Sequence, residues 1–492
     1  MAVPPEIRAV PRPKNTVVVA YGKNKHKYAV RGRKGCRYDD GRRVPIEGGI
    51  IGHIVNGEYV PDEIVGHIPS DEITVKDFAN VTLCDHLMKD VLHTLRKVYC
   101  EEECEQILCI AILRACYPGI KDYQIESYYQ NSFLSEMYPG VPLSKNTVCT
   151  LLGKLGRAGN RIRTFLDERI KEMRSKVVLV DGTLVSDESG LNTFSNYSRK
   201  ARIKKSRDIS VIYAFDLELM EPICYKAYAG NMIDSRAFKD FIRENHLRDA
   251  VIVADKGFPP NSARAEFERN PDLHYLIAVK SSLKALQHCD ALNLDMLLSG
   301  VDGITCGKEY CPALGSWVYA FRDADIAASQ ERAYLATVGD DYDPDDLRER
   351  REGFGLLVLE SDLDMDPLLV YRAYKERWII EEAFRMYKDI EDFDETRVHS
   401  DYSVMGTQFV NYLSTILSCR LVKHFGTVSD LDTVPYAQVL RLLRLGQKVQ
   451  DSEGAWKPRR LCEKEAKILV KLGVYEKPIV PKRPRGRPKK SA

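Results

Sequence analysis

This chain lacks a strong charge of either sign: among 492 residues, 73 lysines and arginines face 71 acids, for a net charge of +2. There is no global basic signature, so any case for nucleic acid rests on local charge. The opening MAVPPEIRAV lacks the apolar core of a secretory leader. The apolar stretch 410–422 is short and interrupted by Asn411, Ser414 and Ser418, which reads as a buried helix and not a membrane span. No membrane association is expected, and the expected location is cytoplasmic. The 13 cysteines show no disulfide-like framework. Cys100 and Cys104 could share a helix face with His93, but zinc wants more ligands at tighter spacing, so buried reduced thiols are the reading. No Ser-His or Cys-His arrangement stands out.

The length that remains argues for about three domains. The first seventy residues read as a small β module. TVVVAYG and HKYAVRG look like strands, and IIGHIVNGEYVP looks like a hairpin closed by Asn56-Gly57. A basic run from Lys23 to Arg43, interleaved with Tyr21, Tyr28 and Tyr38, suits a solvated face and a DNA-binding arm equally well. Residues from about 75 to 175 read as helical, with Ser144 as an N-cap and DYQIESYYQNSFL helix-like. The connection between them is too long for a strict helix-turn-helix, and a structural bundle is the plainer reading.

From Lys176 the pattern turns to strands. SKVVLVDGTLV, ISVIYAFDLEL and PICYKAYAG come first, then a helix capped by Asp234-Ser235, then AVIVADKGF and LHYLIAVK. Strands joined through a helix can pair in parallel within one sheet. The irregular stretch to about Glu360, with WVYAF and FGLLVLE as strands, reads as an insertion separate in origin from the main sheet. Asp366-Pro367 then offers an N-cap acid with proline at N1 for a long helix.

That helix is expected to carry Tyr374, Arg377, Glu381 and Lys388 on one face, their spacings of three, four and seven being helical. Glu382 would lie about 100° around the helix, off this face. An amphipathic helix with an Arg377–Glu381 ion pair is the plain alternative. It does not account for Asp181 and Asp255, which interrupt apolar strand runs where the strands look to end. Three separated carboxylates are what a two-metal phosphoryl-transfer site needs, with Mg²⁺ as the hard cation. Arg377 and Lys388 suit phosphates, and Tyr374 suits a hydrogen bond or a stack.

Tyr374 to Lys388, within YKERWIIEEAFRMYK, resembles the YREK signature of the DDE transposases of bacterial and archaeal insertion sequences. VVLVDGT, AYAGNMIDS, VADKGF and GLLVLES resemble further segments of that family, over about residues 140–425, and GHIVNGEYVP resembles the start of one branch. The resemblance implies an α/β fold with a ribonuclease-H-like catalytic core and a β-rich insertion. It implies cutting at transposon ends and joining of the freed 3′-hydroxyl to target DNA, with two Mg²⁺ ions, or Mn²⁺ in their place. Asp181, Asp255 and Glu381 carry over as catalytic metal ligands, and Tyr374, Arg377 and Lys388 as transposon-end contacts. Terminal inverted repeats and target DNA become the expected partners, with a homodimer in the paired-end complex and a nucleoid-associated location. Some relatives hold a flipped base against an aromatic of the insertion. Trp317 is a candidate there, against the plainer reading of a core tryptophan.

The expected organisation is a small basic β-rich module (1–72), a helical region (73–172), and a core in two parts (173–284 and 363–425). Around these stand a β-rich insertion (285–362), a C-terminal helical region (426–479) and a disordered tail (480–492). The tail departs from the family pattern: Arg485, Gly486 and Arg487, inside P-R-G-R-P, resemble an AT-hook suited to a narrow minor groove. Two other readings stand beside the active transposase. One is a catalytically inactive or domesticated DNA-binding protein, which the intact acidic triad disfavours. The other is a host nuclease or resolvase, which the intact YREK set disfavours.

Overall fold

A computed structural model describes residues 3–20, 28–39, 42–61, 74–187, 189–197, 207–254, 260–280, 286, 289–377, 381, 395–396, 398–451 and 453–476. The chain forms two compact units, Met1–Val75 with Val449–Lys457, and Lys76–Lys448 with Pro458–Ala492.

In the first unit, β1 (Thr16–Ala20), β2 (Tyr28–Asp39), β3 (Arg42–Val55) and β4 (Glu58–Pro61) make a four-stranded antiparallel sheet in sequence order. The expected hairpin is present. Asn56 at φ 51° and Gly57 at φ 84° both take the left-handed conformation that a two-residue turn between twisted strands requires. A small core of Val3, Val10, Val18, Val30 and Ile54 sits against the sheet.

The second unit opens with helices α1 (Ala79–Leu87), α2 (Lys89–Arg96), α3 (Glu101–Cys116), α4 (Lys145–Arg157) and α5 (Gly159–Lys171). Ser144 caps α4 as expected, its hydroxyl accepting from Thr147 N. The segment DYQIESYYQNSFL is not one helix. It breaks into a 3₁₀ turn (Asp122–Gln124) and short helices Ile125–Gln130 and Leu134–Met137, because Asp77 draws Phe133 N into a backbone bond.

The sheet of this unit holds β5 (Val177–Asp187), β6 (Arg207–Asp216), β7 (Glu221–Ala229), β8 (Ala250–Ala254), β9 (Leu273–Val279), β10 (Ile304–Cys311), β11 (Ser316–Asp323) and β12 (Leu356–Ser361). Their spatial order is β10-β11-β12-β9-β8-β5-β6-β7. The strands β5, β8 and β9 run parallel, while β5-β6-β7 is an antiparallel meander. The two parallel crossovers contain helices α6 (Asp234–Glu244) and α7 (Pro260–Arg269), as parallel connections require. Helix α6 begins at Asp234, with Ile233 in the N-cap position and Asp234 as the acid of its first turn.

The strands between Lys280 and Glu360 do not form a separate sheet. Strand β12 pairs with β9 (Val279 opposite Val358) and also with β11, so the insertion strands extend the main sheet. That stretch also holds two helices, α8 (Ala324–Val338) and α9 (Pro344–Gly353). After β12, Asp366 accepts from Leu368 N and Leu369 N and starts α10 (Pro367–Lys375), as the Asp-Pro pair implies.

Helix α11 (Asp401–Phe425) contains the apolar stretch 410–422 and is buried along most of its length. Two of its polar residues are paired inside the unit: Ser414 Oγ donates to Ala111 O at 3.1 Å, and Asn411 Oδ1 accepts from Arg114 at 2.7 Å. It crosses α4 very closely. A Cβ on Gly156 would strike the carbonyl of Tyr402, and one on Gly406 would strike that of Leu152. Arg169, 1% exposed, donates to Glu221 at 2.6 Å, and Arg420 donates to both Glu221 (2.6 Å) and Asp90 (2.7 Å). This ionic knot, buried at Arg169 and Glu221 and exposed at Asp90, joins α2, α5, β7 and α11. Among the described residues, no helix is long and apolar enough to cross a membrane.

Candidate active site

Strand β5 explains why a carboxylate can sit at position 181. Val178, Leu179 and Val180 are all buried, as in a strand covered on both faces. On one side β8 follows β5 from Val177 to Val180, where Ala254 is the partner of Val180. On the other side β6 pairs with β5 all the way to Ser186. The strand therefore does not end at Asp181, contrary to the sequence expectation. Pairing with β6 carries TLVSD on as strand despite its polar residues. Asp181 lies instead at the step where described pairing with β8 stops. Its side chain is 20% exposed, and its Oδ1 accepts from Gly182 N at 2.8 Å. Asp255 directly follows Ala254 in sequence, and Asp255 itself lies outside the described residues.

The approach to α10 is pinned by buried polar contacts. Tyr319 Oη donates to Leu363 O at 2.9 Å and accepts from Met365 N at 2.7 Å. Burial pushes this phenol up to about 12, so it stays protonated at neutral pH. Glu360 accepts from Tyr275 at 3.0 Å and from Ser316 at 2.9 Å. These bonds fix where α10 starts and hence where Tyr374 and Arg377 arrive.

The single long helix expected through Lys388 is not what the described residues form. Helix α10 ends at Lys375, and Arg377 N bonds back to Tyr374 O at 3.2 Å in a tighter turn. Tyr374 occupies the last turn of α10, Arg377 the turn beyond it, and Glu381 is again helical. Lys388 lies outside the described residues, as do Glu382 and the tail residues Arg485, Gly486 and Arg487.

Arg377 nevertheless gathers the site. Its Nη2 lies 2.7 Å from Glu381 Oε1, and its Nη1 lies 3.8 Å from Asp181 Oδ2. Its guanidinium carbon stands 5.7 Å from the centre of the Tyr374 ring. The expected Arg377–Glu381 pair is thus formed, and the same cation also faces the strand aspartate. Two carboxylates from distant parts of the chain share one positive group, so a cation is accommodated between them. Their donors are all oxygen, the set a hard divalent ion takes. Among the described residues no three His, Cys, Asp or Glu side chains converge on a metal-sized site, so the metal reading needs Asp255 as well.

Beside this pair lies a cleft of about 280 Å³, bounded by Ile326 and Gln330 of α8, Leu357 of β12, and Tyr374, Arg377 and Glu381. Gln330 and Lys375, which also lines it, were not singled out in the sequence. Lys375 adjoins Tyr374 in the chain, but no local pattern signals that α8 folds over this end of α10. Trp317 is only partly buried. Its ring meets Tyr310 edge-on at 5.6 Å, with Lys308 Nζ 4.9 Å from its centre.

An open mixed sheet with a strand aspartate and a helix-borne glutamate on one cation defines an α/β domain with an acidic site. Residues 172–405, which include both carboxylates, match the family model described as the transposase DDE domain. A solved structure, a cryo-EM structure of the piggyBac transposase synaptic complex with hairpin DNA, is similar at a TM-score of 0.41 and 11% identity, over 75% of this chain and 80% of that one. Comparison with curated proteins gives no match.

Proposed function

We propose that this protein is a DNA transposase that cuts at the ends of its insertion sequence and joins the 3′-hydroxyl ends to target DNA. The observation that carries the reading is the meeting of Asp181 and Glu381 on Arg377, inside the segment that matches the transposase DDE domain. The strand order β7-β6-β5-β8-β9, a meander joined to two parallel strands, supports a ribonuclease-H-like core.

Asp181 and Glu381, with Asp255, would hold Mg²⁺ ions, or Mn²⁺ in their place. When bound, such ions activate a water or 3′-hydroxyl and offset charge on the leaving oxygen. The chain's own groups do the rest. Sheet pairing on the β6 side fixes the Asp181 backbone. The Arg377 fork holds the two acids in register and has the planar shape that grips a phosphate bidentately. Tyr374 presents an aromatic face beside it, and Lys388 is assigned a second phosphate contact. Arg485, Gly486 and Arg487 of the basic tail are assigned DNA contact outside the site. Terminal inverted repeats and target DNA are the partners, and a homodimer would pair the two ends. The domain boundaries proposed from the sequence are kept with this reading.

The test is a cleavage assay on duplexes carrying the DNA that flanks the coding region. Mg²⁺-dependent nicking at inverted repeats is expected. Purified, folded protein that neither binds nor nicks such DNA would overturn the reading.

A further inference from the structure

Arg31, Arg33, Lys34, Arg37, Arg42 and Arg43 of the basic run belong to the two strands β2 and β3, which form an arm, while Lys23, Lys25 and Lys27 lie outside the described residues. Strand β1 covers β2 only from Tyr28 to Gly32, and β4 covers β3 only from Gly52 to Val55. Asn15 extends the cover by one residue: Arg33 N donates to Asn15 O at 3.0 Å, and Asn15 Nδ2 donates to Arg33 O at 3.2 Å. Beyond that point β2 and β3 pair with each other alone, from Gly35 opposite Ile46 to Asp39 opposite Arg42. Among the described residues no third strand flanks this part on either side. Among the described residues, the small core of the unit is built from Val3, Val10, Val18, Val30 and Ile54, none of which lies between Gly35 and Ile46.

A bare two-stranded ribbon is marginal in water and leaves backbone groups open on both edges. This one is also shaped. Register shifts fall at Val30/Arg31, Arg31/Arg33 and Arg33/Gly35, and such bulges bend a ribbon and sharpen its twist. Gly48 sits at the bulged root, where a Cβ would lie 3.0 Å from Gly32 O, so the two strands approach closely there. The arm's sequence from 31 to 47 carries Arg31, Arg33, Lys34, Arg37, Arg42 and Arg43 against Asp39, Asp40 and Glu47. Arg31 is held by Glu47 at 3.2 Å, while Arg33 and Lys34 are exposed. Ile46, 45% exposed, adds an apolar side chain opposite Gly35.

We propose that this arm lies in the major groove of duplex DNA. A two-stranded ribbon, with strands about 4.8 Å apart, is of a width the roughly 12 Å major groove admits. The cations suit the flanking phosphates, and an exposed isoleucine suits a thymine methyl. The inference rests on the transposase reading for DNA as the partner. It uses none of the active-site residues.

The test uses the full chain, with Arg33→Gln, Lys34→Gln and Arg37→Gln combined, and a second variant with Arg42→Gln and Arg43→Gln. Each is first matched to wild type by its melting profile. The pair is chosen so that one remains informative if the other fails to fold. DNA affinity is then read from about 50 to 200 mM salt. A slope falling by about 0.9 per lost phosphate contact gives the triple variant a salt-induced loss about forty-fold smaller than that of wild type. Guanine N7 methylation interference should also disappear over a short patch. Variants with unchanged affinity, slope and interference, beside a wild type that binds and nicks DNA, would overturn the arm alone. A wild type that neither binds nor nicks would instead overturn the functional reading, and the arm with it.

Discussion

Arg377 and Asp181 lie 3.8 Å apart, Nη1 to Oδ2, although one follows α10 and the other sits within β5. Arg377 simultaneously holds Glu381 at 2.7 Å. Arg377 therefore places a cation of the chain's own between the acids assigned to metal. An ion pair with a partner as exposed as Glu381 is worth at most about 1 kcal/mol. Arg377→Gln should accordingly raise Mn²⁺ affinity in the absence of DNA about two- to fivefold, read by electron paramagnetic resonance. DNA-end binding should fall in the same variant. Weaker Mn²⁺ binding would show that Arg377 supports the acids and does not compete for them.

The knot of Arg169, Glu221, Arg420 and Asp90 sets a stability prediction. Glu221 is 3% exposed and accepts from both arginines. Glu221→Ala would leave Arg169 buried with Glu172 as its remaining close acceptor and Asp90 at 3.6 Å, at a cost of about 1–3 kcal/mol in urea unfolding. A loss below about 1 kcal/mol would mean that water or other acceptors reach Arg169.

The same knot gives a pH dependence. Burial pushes the Asp90 carboxyl up, but hydrogen bonds and charge from Arg420, with Arg169 nearby, outweigh it and hold the group below its usual value. A lowered folded value means stability that is present above the unfolded value, near 4, and is lost as pH falls through the folded one. Asp90→Asn should therefore flatten the acid limb of the stability curve below about pH 4. An acid limb identical to that of wild type would remove Asp90 from the account.

The α4–α11 crossing is built on glycine. Gly156→Ala and Gly406→Ala each place a methyl against a backbone carbonyl, which no side-chain rotation relieves. Each should destabilise by about 1–3 kcal/mol, as overpacking does. Thermal melts at or above the wild-type midpoint would contradict the packing described.

Much of this was legible locally. Asn56-Gly57, Ser144 and Asp366-Pro367 mark a turn and two helix starts because each solves a backbone problem within a few residues. Apolar runs located β5, β8 and β9 for the same reason. What escaped is non-local. Strand β5 passes Asp181 because β6 pairs with it, and the strands before Glu360 join the main sheet because Val358 finds Val279. Helix α10 ends at Lys375 with no glycine or proline nearby to announce it. Of the site, Arg377–Glu381 follows from spacing. The approach of Arg377 to Asp181 depends on the sheet and on the pinned 362–366 turn, which no local pattern encodes.

The most direct measurement is Mg²⁺-dependent strand cleavage of flanking-DNA duplexes by Asp181→Asn, Asp255→Asn and Glu381→Gln, each beside its own DNA-binding isotherm. The account predicts that all three lose cleavage by at least about a thousandfold while binding the ends within a few-fold of wild type. Cleavage near the wild-type rate by any one of them would contradict it.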